Sequence, residues 1–142
     1  MSYCRAFNQP LTLPSSLSSI GSSFMYYCYA FNQPLTLPSG LSSIGSNFMS
    51  TCRAFNQPLT LPSSLSSMGT SFMYNCYSLS TIIWNASVYP TDNNSLSQDI
   101  NTKTNSTSGA GIKVYGTKRG NLISALPNRT SSPYRKLING GS

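Results

Sequence analysis

The chain has 142 residues, the length of one ordinary domain, with nine Lys and Arg against two acids and a formal net charge of +7. There is no His and no Glu, and the only carboxylates, Asp92 and Asp99, sit in one polar stretch; this excludes the usual acid–base pairs and leaves a serine nucleophile only tail lysines as a base. The longest apolar run, Ile82-Ile83-Trp84, is far too short to span a bilayer, and the N-terminus shows no basic, then apolar, export signal.

In chain order, residues 1–24, 25–48 and 49–72 align without a gap, and 73–77 restart the pattern. Cys4, Cys28, Cys52 and Cys76 mark one slot. The runs Phe-Asn-Gln-Pro-Leu-Thr-Leu-Pro that start at Phe7, Phe31 and Phe55 mark another. An unbroken 24-residue period predicts a repeat solenoid, whose units bury their apolar side chains only by stacking on one another. Met1 stands in the slot of Met25, Met49 and Met73. The chain is therefore expected either to begin inside its own repeat or to be the tail of a longer array.

Within one repeat, Leu11-Thr12-Leu13 alternates with period two, the mark of a short strand with one buried face. Pro10 and Pro14 bracket it and confine any ladder to about three residues. From Leu17 the apolar positions Ile20, Phe24, Cys28 and Phe31 follow at intervals of 3, 4, 4 and 3, which predicts turns of helix or a loose arc. Ser15, Ser16, Ser18, Ser19, Ser22 and Ser23 are mediocre helix formers, so the arc is expected to be irregular or 3₁₀. Gly21 is read as a bend a side chain would hinder.

The pattern Leu-x-Leu-Pro-x-x-Leu-x-x-Ile-Gly-x-x-Phe-x-x-x-Cys-x-x-Phe, over 11–31, resembles the BspA-like class of leucine-rich repeats. The resemblance covers residues 1 to about 85. It implies a right-handed coil with short parallel strands on its concave side, in proteins that bind other molecules at surfaces.

The fourth copy departs from the pattern after Ser80. Counting by 24 puts Ile83 in the Leu11 slot and Trp84 in the Thr12 slot, in a strand over 81–86. Residues 87–111 read as a polar loop, in which the stretch from Tyr89 to Gly111 has only Leu96 and Ile100 to bury. Ile112-Lys113-Val114-Tyr115 alternates like a strand. Residues 118–126 follow as a helix with Leu122, Ile123 and Leu126 on one face and Pro127 as its stop. Tyr134, Leu137 and Ile138 would make one more turn. The resulting division is a solenoid over 1–86, a polar loop over 87–111 and a C-terminal cap over 112–142, whose strand–helix unit resembles those that close such arrays.

The four Cys are spaced for stacking, one per coil about 4.7–4.9 Å apart, rather than in the close pairs of a metal site. That interval lies within the roughly 4.4–6.8 Å Cα range of disulfides, so bridges stay open by distance, but a column of buried thiols is the favoured reading. No cofactor motif is present; Gly109-Ala110-Gly111 lacks the partners of a phosphate loop. Seven cations lie dispersed over the last forty residues, with no run or amphipathic helix, which disfavours nucleic acid as a partner.

The candidate binding surface has three parts. Thr12, Thr36, Thr60 and Trp84 form a column opposite the buried leucines. Asn8, Asn32 and Asn56, with Gln9, Gln33 and Gln57, line its margin or satisfy turn backbone. Arg5, Tyr29, Arg53 and Tyr77 alternate at one variable slot, as do Ser2, Tyr26, Ser50 and Tyr74. The expected function is a non-enzymatic recognition or adhesion module for a protein or glycan, extracellular, on a cell surface or on a virion, and the C-terminal part of a longer surface or phage tail protein. The alternative is a structural module that assembles end to end through its first coil.

Overall fold

The computed structural model describes residues 3–92, 95–96, 111–126 and 137–141. Two short parallel sheets run along a stack of coils. One joins β1 (Ser19–Ile20), β2 (Ser43–Ile44) and β4 (Ser67–Met68) in that order. The other joins β3 (Leu59–Leu61), β5 (Thr81–Trp84), β6 (Ile112–Tyr115) and β7 (Leu137–Gly141). One helix among the described residues, α1 (Arg119–Ala125), lies between β6 and β7. The register of the first sheet, Ser19 to Ser43 to Ser67, repeats the 24-residue period. The solenoid read from the sequence is thus the fold.

Two of the expected strands do not form. Residues 11–13 and 35–37 are irregular, and among the described residues no backbone hydrogen bond joins them to each other. Each is bracketed by prolines, so two such segments side by side have too few N–H groups left to close a ladder. The same Leu-Thr-Leu triplet does become a strand at β3, where its neighbour β5 carries no proline. Asn85 N–H extends that pairing by donating to Leu61 O at 3.1 Å.

The arc after Leu17 is not helical. It opens with β1 and its equivalents, whose edges are closed by Ser42 N–H to Ser18 O and Gly45 N–H to Ile20 O, both 2.8 Å. It then alternates left-handed residues: Ser23, Met25 and Tyr27 have φ of 62°, 53° and 60°, and Asn47, Met49 and Thr51 repeat this at 59°, 51° and 64°. The zigzag turns successive N–H groups toward the coils on either side. Ser23 N–H donates forward to Ser46 O at 2.7 Å, while Met49 N–H donates back to Phe24 O at 2.8 Å. Left-handed residues cost about 1–2 kcal/mol each. The inter-coil bonds they permit pair backbone that would otherwise be buried unpaired.

The core is columnar. Phe7, Phe31 and Phe55 stack with centroids 5.8 and 5.9 Å apart, and Phe24, Phe48 and Phe72 stack at 5.5 Å, with Trp84 edge-on to Phe72 at 5.7 Å. The polar stretch contributes to this stack. Leu96 is buried at φ 56° and its N–H donates to Phe72 O at 2.8 Å, the same bond Met73 makes to Phe48. It therefore continues the column of Met25, Met49 and Met73. Asp92 and Ser95 support it: Ser71 N–H donates to Asp92 Oδ2 at 3.0 Å, and Phe72 N–H to Ser95 Oγ at 2.9 Å. Beyond it, β6 and α1 fall where the sequence placed them, with Leu122 and Leu126 buried and Ile123 packed against the core. Leu137 and Ile138 lie in β7, whereas Ile100, Pro127 and Tyr134 fall outside the described residues.

Candidate binding surfaces

Thr12, Thr36 and Thr60 are exposed, as the alternation with buried leucines requires. Trp84 does not continue their row. Thr60 pairs with Ile83, and Trp84 pairs with Leu61 and is fully buried, its Nε1–H donating to Val88 O at 3.1 Å. The fourth coil is one residue short between Ser80, which still lies 24 residues beyond Asn56, and Ile82, which pairs with Leu59. A one-residue slip moves every side chain to the other face. The row therefore runs Thr12, Thr36, Thr60, Ile83 and, through Ile83–Tyr115 pairing, Tyr115. Two grooves open along it. One, of about 510 Å³, lies between Pro10, Leu11, Thr12, Gln33, Pro34 and Thr36. The other, of about 580 Å³, lies between Pro58, Thr81, Ile83, Asn85, Tyr115 and Thr117. Ile83 and Tyr115 were legible only as strand residues, and the signal for their role is the shortened spacing after Ser80.

The Asn column is internal to the coil stack. Asn32 N–H donates to Asn8 Oδ1 and Asn56 N–H to Asn32 Oδ1, both at 2.8 Å, and Ser80 Oγ–H donates to Asn56 Oδ1 at 2.7 Å. Gln33 and Gln57 add their Nε2 donors at 3.1 and 3.2 Å. Each carboxamide oxygen thus caps the next coil's backbone.

The alternating slot forms a ladder of a different kind. The Arg5 guanidinium lies 5.3 Å from the centre of the Tyr29 ring, Arg53 lies 4.8 Å from that same ring, and Arg53 lies 5.3 Å from Tyr77. Each contact is worth about 0.5–1 kcal/mol at an exposed site. Tyr3, Tyr26, Tyr27 and Tyr29 cluster beside it at centroid distances of 4.3 to 5.6 Å. The side-chain hydrogen bond with Tyr27, then burial and the neighbouring Tyr27, Tyr3 and Tyr29 hydroxyls, push the Tyr26 pKa up to about 12. The Tyr77 hydroxyl is buried with no partner among the described residues.

The thiols stack as one column, Cys28, Cys52 and Cys76 buried and Cys4 half-buried. Cys52 S–H donates to Met25 O and Cys76 S–H to Met49 O, both at 3.0 Å. Burial pushes the Cys28 and Cys52 pKa values up. These are structural thiols that favour the protonated state rather than nucleophiles.

The geometry agrees with the comparison to known families. Residues 2–112 match the BspA type leucine rich repeat region, counted in six copies, and the chain belongs to that family. The match runs past the last recognisable 24-residue copy to the start of β6, across the segment that holds Leu96. No curated protein and no solved structure matches the chain. Repeats of this family suggest a protein-interaction or surface module and are generally non-enzymatic. Among the described residues no helix is long and apolar enough to cross a membrane.

Proposed function

We propose that the chain is a non-enzymatic recognition or adhesion module that takes a protein or glycan along the row Thr12, Thr36, Thr60, Ile83 and Tyr115. It would act on a cell surface or a virion. The row itself carries this reading. Five successive layers present a side chain at one slot, and grooves open toward both ends of the series. Hydroxyls at one end and Ile83 and Tyr115 at the other give hydrogen-bonding and apolar contact on a rigid support, which lowers the ordering cost of binding. The test is binding to a glycan array and to immobilised extracellular-matrix proteins, with Thr36→Gln plus Thr60→Gln as the variant. The variant should keep its circular dichroism and lose binding; undiminished binding would exclude the row.

A second reading, end-to-end assembly, rests on the first coil. Leu35 and Leu37 are 4% and 7% exposed and Leu59 and Leu61 fully buried, whereas Leu11 and Leu13 are only half-buried. Covering them recovers roughly 25 cal/mol per Å² of apolar surface. Sedimentation velocity should then show association that Leu11→Lys plus Leu13→Lys abolishes, and a monomer at high concentration would rule it out.

A further inference from the structure

We infer that the Arg5–Tyr29–Arg53–Tyr77 ladder is a binding site for an anionic polysaccharide with one acidic group per disaccharide. None of these residues lines either groove, so the inference stands apart from the Thr row.

The first observation is the state of the two cations. Arg5 and Arg53 are exposed, and each guanidinium lies over a tyrosine ring. Among the described residues neither guanidinium donates a hydrogen bond to a protein acceptor or pairs with a carboxylate. A guanidinium held against a ring by a cation–π contact still has its N–H donors to offer, and that fork is what grips a carboxylate or sulfate. The ladder orders the side chains before a ligand arrives, so less rotamer entropy is lost on binding.

Charge is the second observation. The three 24-residue copies contain Arg5 and Arg53 and no acidic residue; Asp92 and Asp99 follow them in the chain. The Asp92 carboxylate is occupied by Ser71 N–H and the Ser95 hydroxyl. Among the described residues no acidic side chain pairs with either arginine, so the local charge at the ladder favours an anion.

The third observation is spacing. Tyr29 separates the two arginines, so a cation recurs every second coil, about 9–10 Å at 4.7–4.9 Å per layer. A ligand that itself repeats meets such a series in register. A polysaccharide with an acid on alternate sugars does so, and its intervening neutral sugar lies over tyrosine. A nucleic acid strand carries a phosphate on every residue, and two widely set cations do not follow it. Beside the ladder, Tyr3 is 60% exposed and stacks on Tyr27 at 5.2 Å, adding a flat ring for a sugar face.

The probe is a fluorescent hyaluronan oligosaccharide, whose acid is a carboxylate on alternate sugars. A carboxyl-reduced sample of the same chain is the neutral control, and keratan sulfate distinguishes sulfate from carboxylate. Binding of either acidic chain, weakening as salt rises, supports the site. Arg5→Gln plus Arg53→Gln should reduce affinity at least tenfold with the circular dichroism of the folded chain retained, the melt falling only by what the lost ring contacts contribute. The lysine pair should recover only part of it, because an ammonium lacks the fork. Thr36→Gln plus Thr60→Gln should leave this binding intact, which separates the ladder from the groove. Equal binding of the carboxyl-reduced chain, no effect of the glutamine pair, no binding of any acidic chain, or tighter binding of oligo(dT) would each overturn the inference.

Discussion

Gly45 rests directly on the peptide between Gly21 and Ser22: a Cβ there would lie 2.5 Å from Ser22 N and 2.7 Å from Gly21 C. Gly69 stands in the same relation to Gly45 and Ser46 one coil further on, whereas a Cβ on Gly21 would meet nothing within 4 Å. The glycine column therefore exists for close approach between coils, not for a bend; none of the three has a positive φ.

Identical residues in one column should respond differently to one methyl group. Gly45→Ala or Gly69→Ala pushes backbone against backbone and should cost about 1–3 kcal/mol or more, as overpacking does. Gly21→Ala has room and should stabilise by about 0.4–1 kcal/mol through the unfolded chain. Urea denaturation of the three variants is the measurement. If Gly45→Ala and Gly69→Ala were as harmless as Gly21→Ala, the coils would not be in contact there.

The period, the coil, β5, β6 and the helix after it were all legible, because a strict 24-residue repeat and short alternating segments leave few other solutions. The position of the ladder within the coil was not. Intervals of 3, 4, 4 and 3 from Leu17 to Phe31 match a helix, yet alternating right- and left-handed residues also return side chains to one side of a coil. Only the positive φ at Ser23, Met25 and Tyr27 tells them apart. A count of 24 puts Trp84 in the exposed row because it cannot register one missing residue. Leu96 reads as a loop residue because its polar neighbours hide the Met slot it occupies. At the candidate site, the Arg–Tyr alternation was visible as a pattern, but its meaning as neighbouring layers needed the stack. The Asn column was visible too, with its two readings open, and the hydrogen bonds assign its oxygens to the next coil.

Thr51 offers a test of the left-handed zigzag. It is buried at φ 64°, where a β-branched side chain is an outlier, and the fourth coil places Asn75 at the same slot with φ 61°. Asn tolerates this region far better. Thr51→Asn should raise stability by roughly 1 kcal/mol, seen as a higher urea midpoint with an unchanged slope. A loss of that size would argue that the segment is not left-handed there.

Leu96 tests whether the polar stretch is a coil. At its buried place in the Met column, Leu96→Ala leaves a cavity in the core and should cost roughly 2–5 kcal/mol. A residue lying on an exposed loop would cost within about 0.5 kcal/mol. Amide exchange at Leu96 N–H should be slow in the native chain, since it donates to Phe72 O. Rapid exchange together with a negligible stability loss would remove this layer from the solenoid.

The thiol column makes stability depend on alkaline pH. An unfolded Cys titrates near 8.5. Burial raises the pKa of Cys28 and, more strongly, of Cys52 in the folded chain. Between the unfolded and folded values the native state binds more protons than the unfolded state, so stability falls as pH rises. The contribution is fully present below about pH 8.5; above it Cys52 removes about 1.4 kcal/mol per pH unit, and Cys28 acts in the same direction up to its own raised pKa. Tyr26, held up to about 12, adds the same sign of dependence once unfolded tyrosine begins to titrate near 10. Urea midpoints from pH 7 to about 10 should therefore drop progressively, and Cys52→Ala should flatten the slope by one proton while lowering stability at pH 7. Stability independent of pH across that window would show that the thiols ionise as easily folded as unfolded, and that the column is open to water.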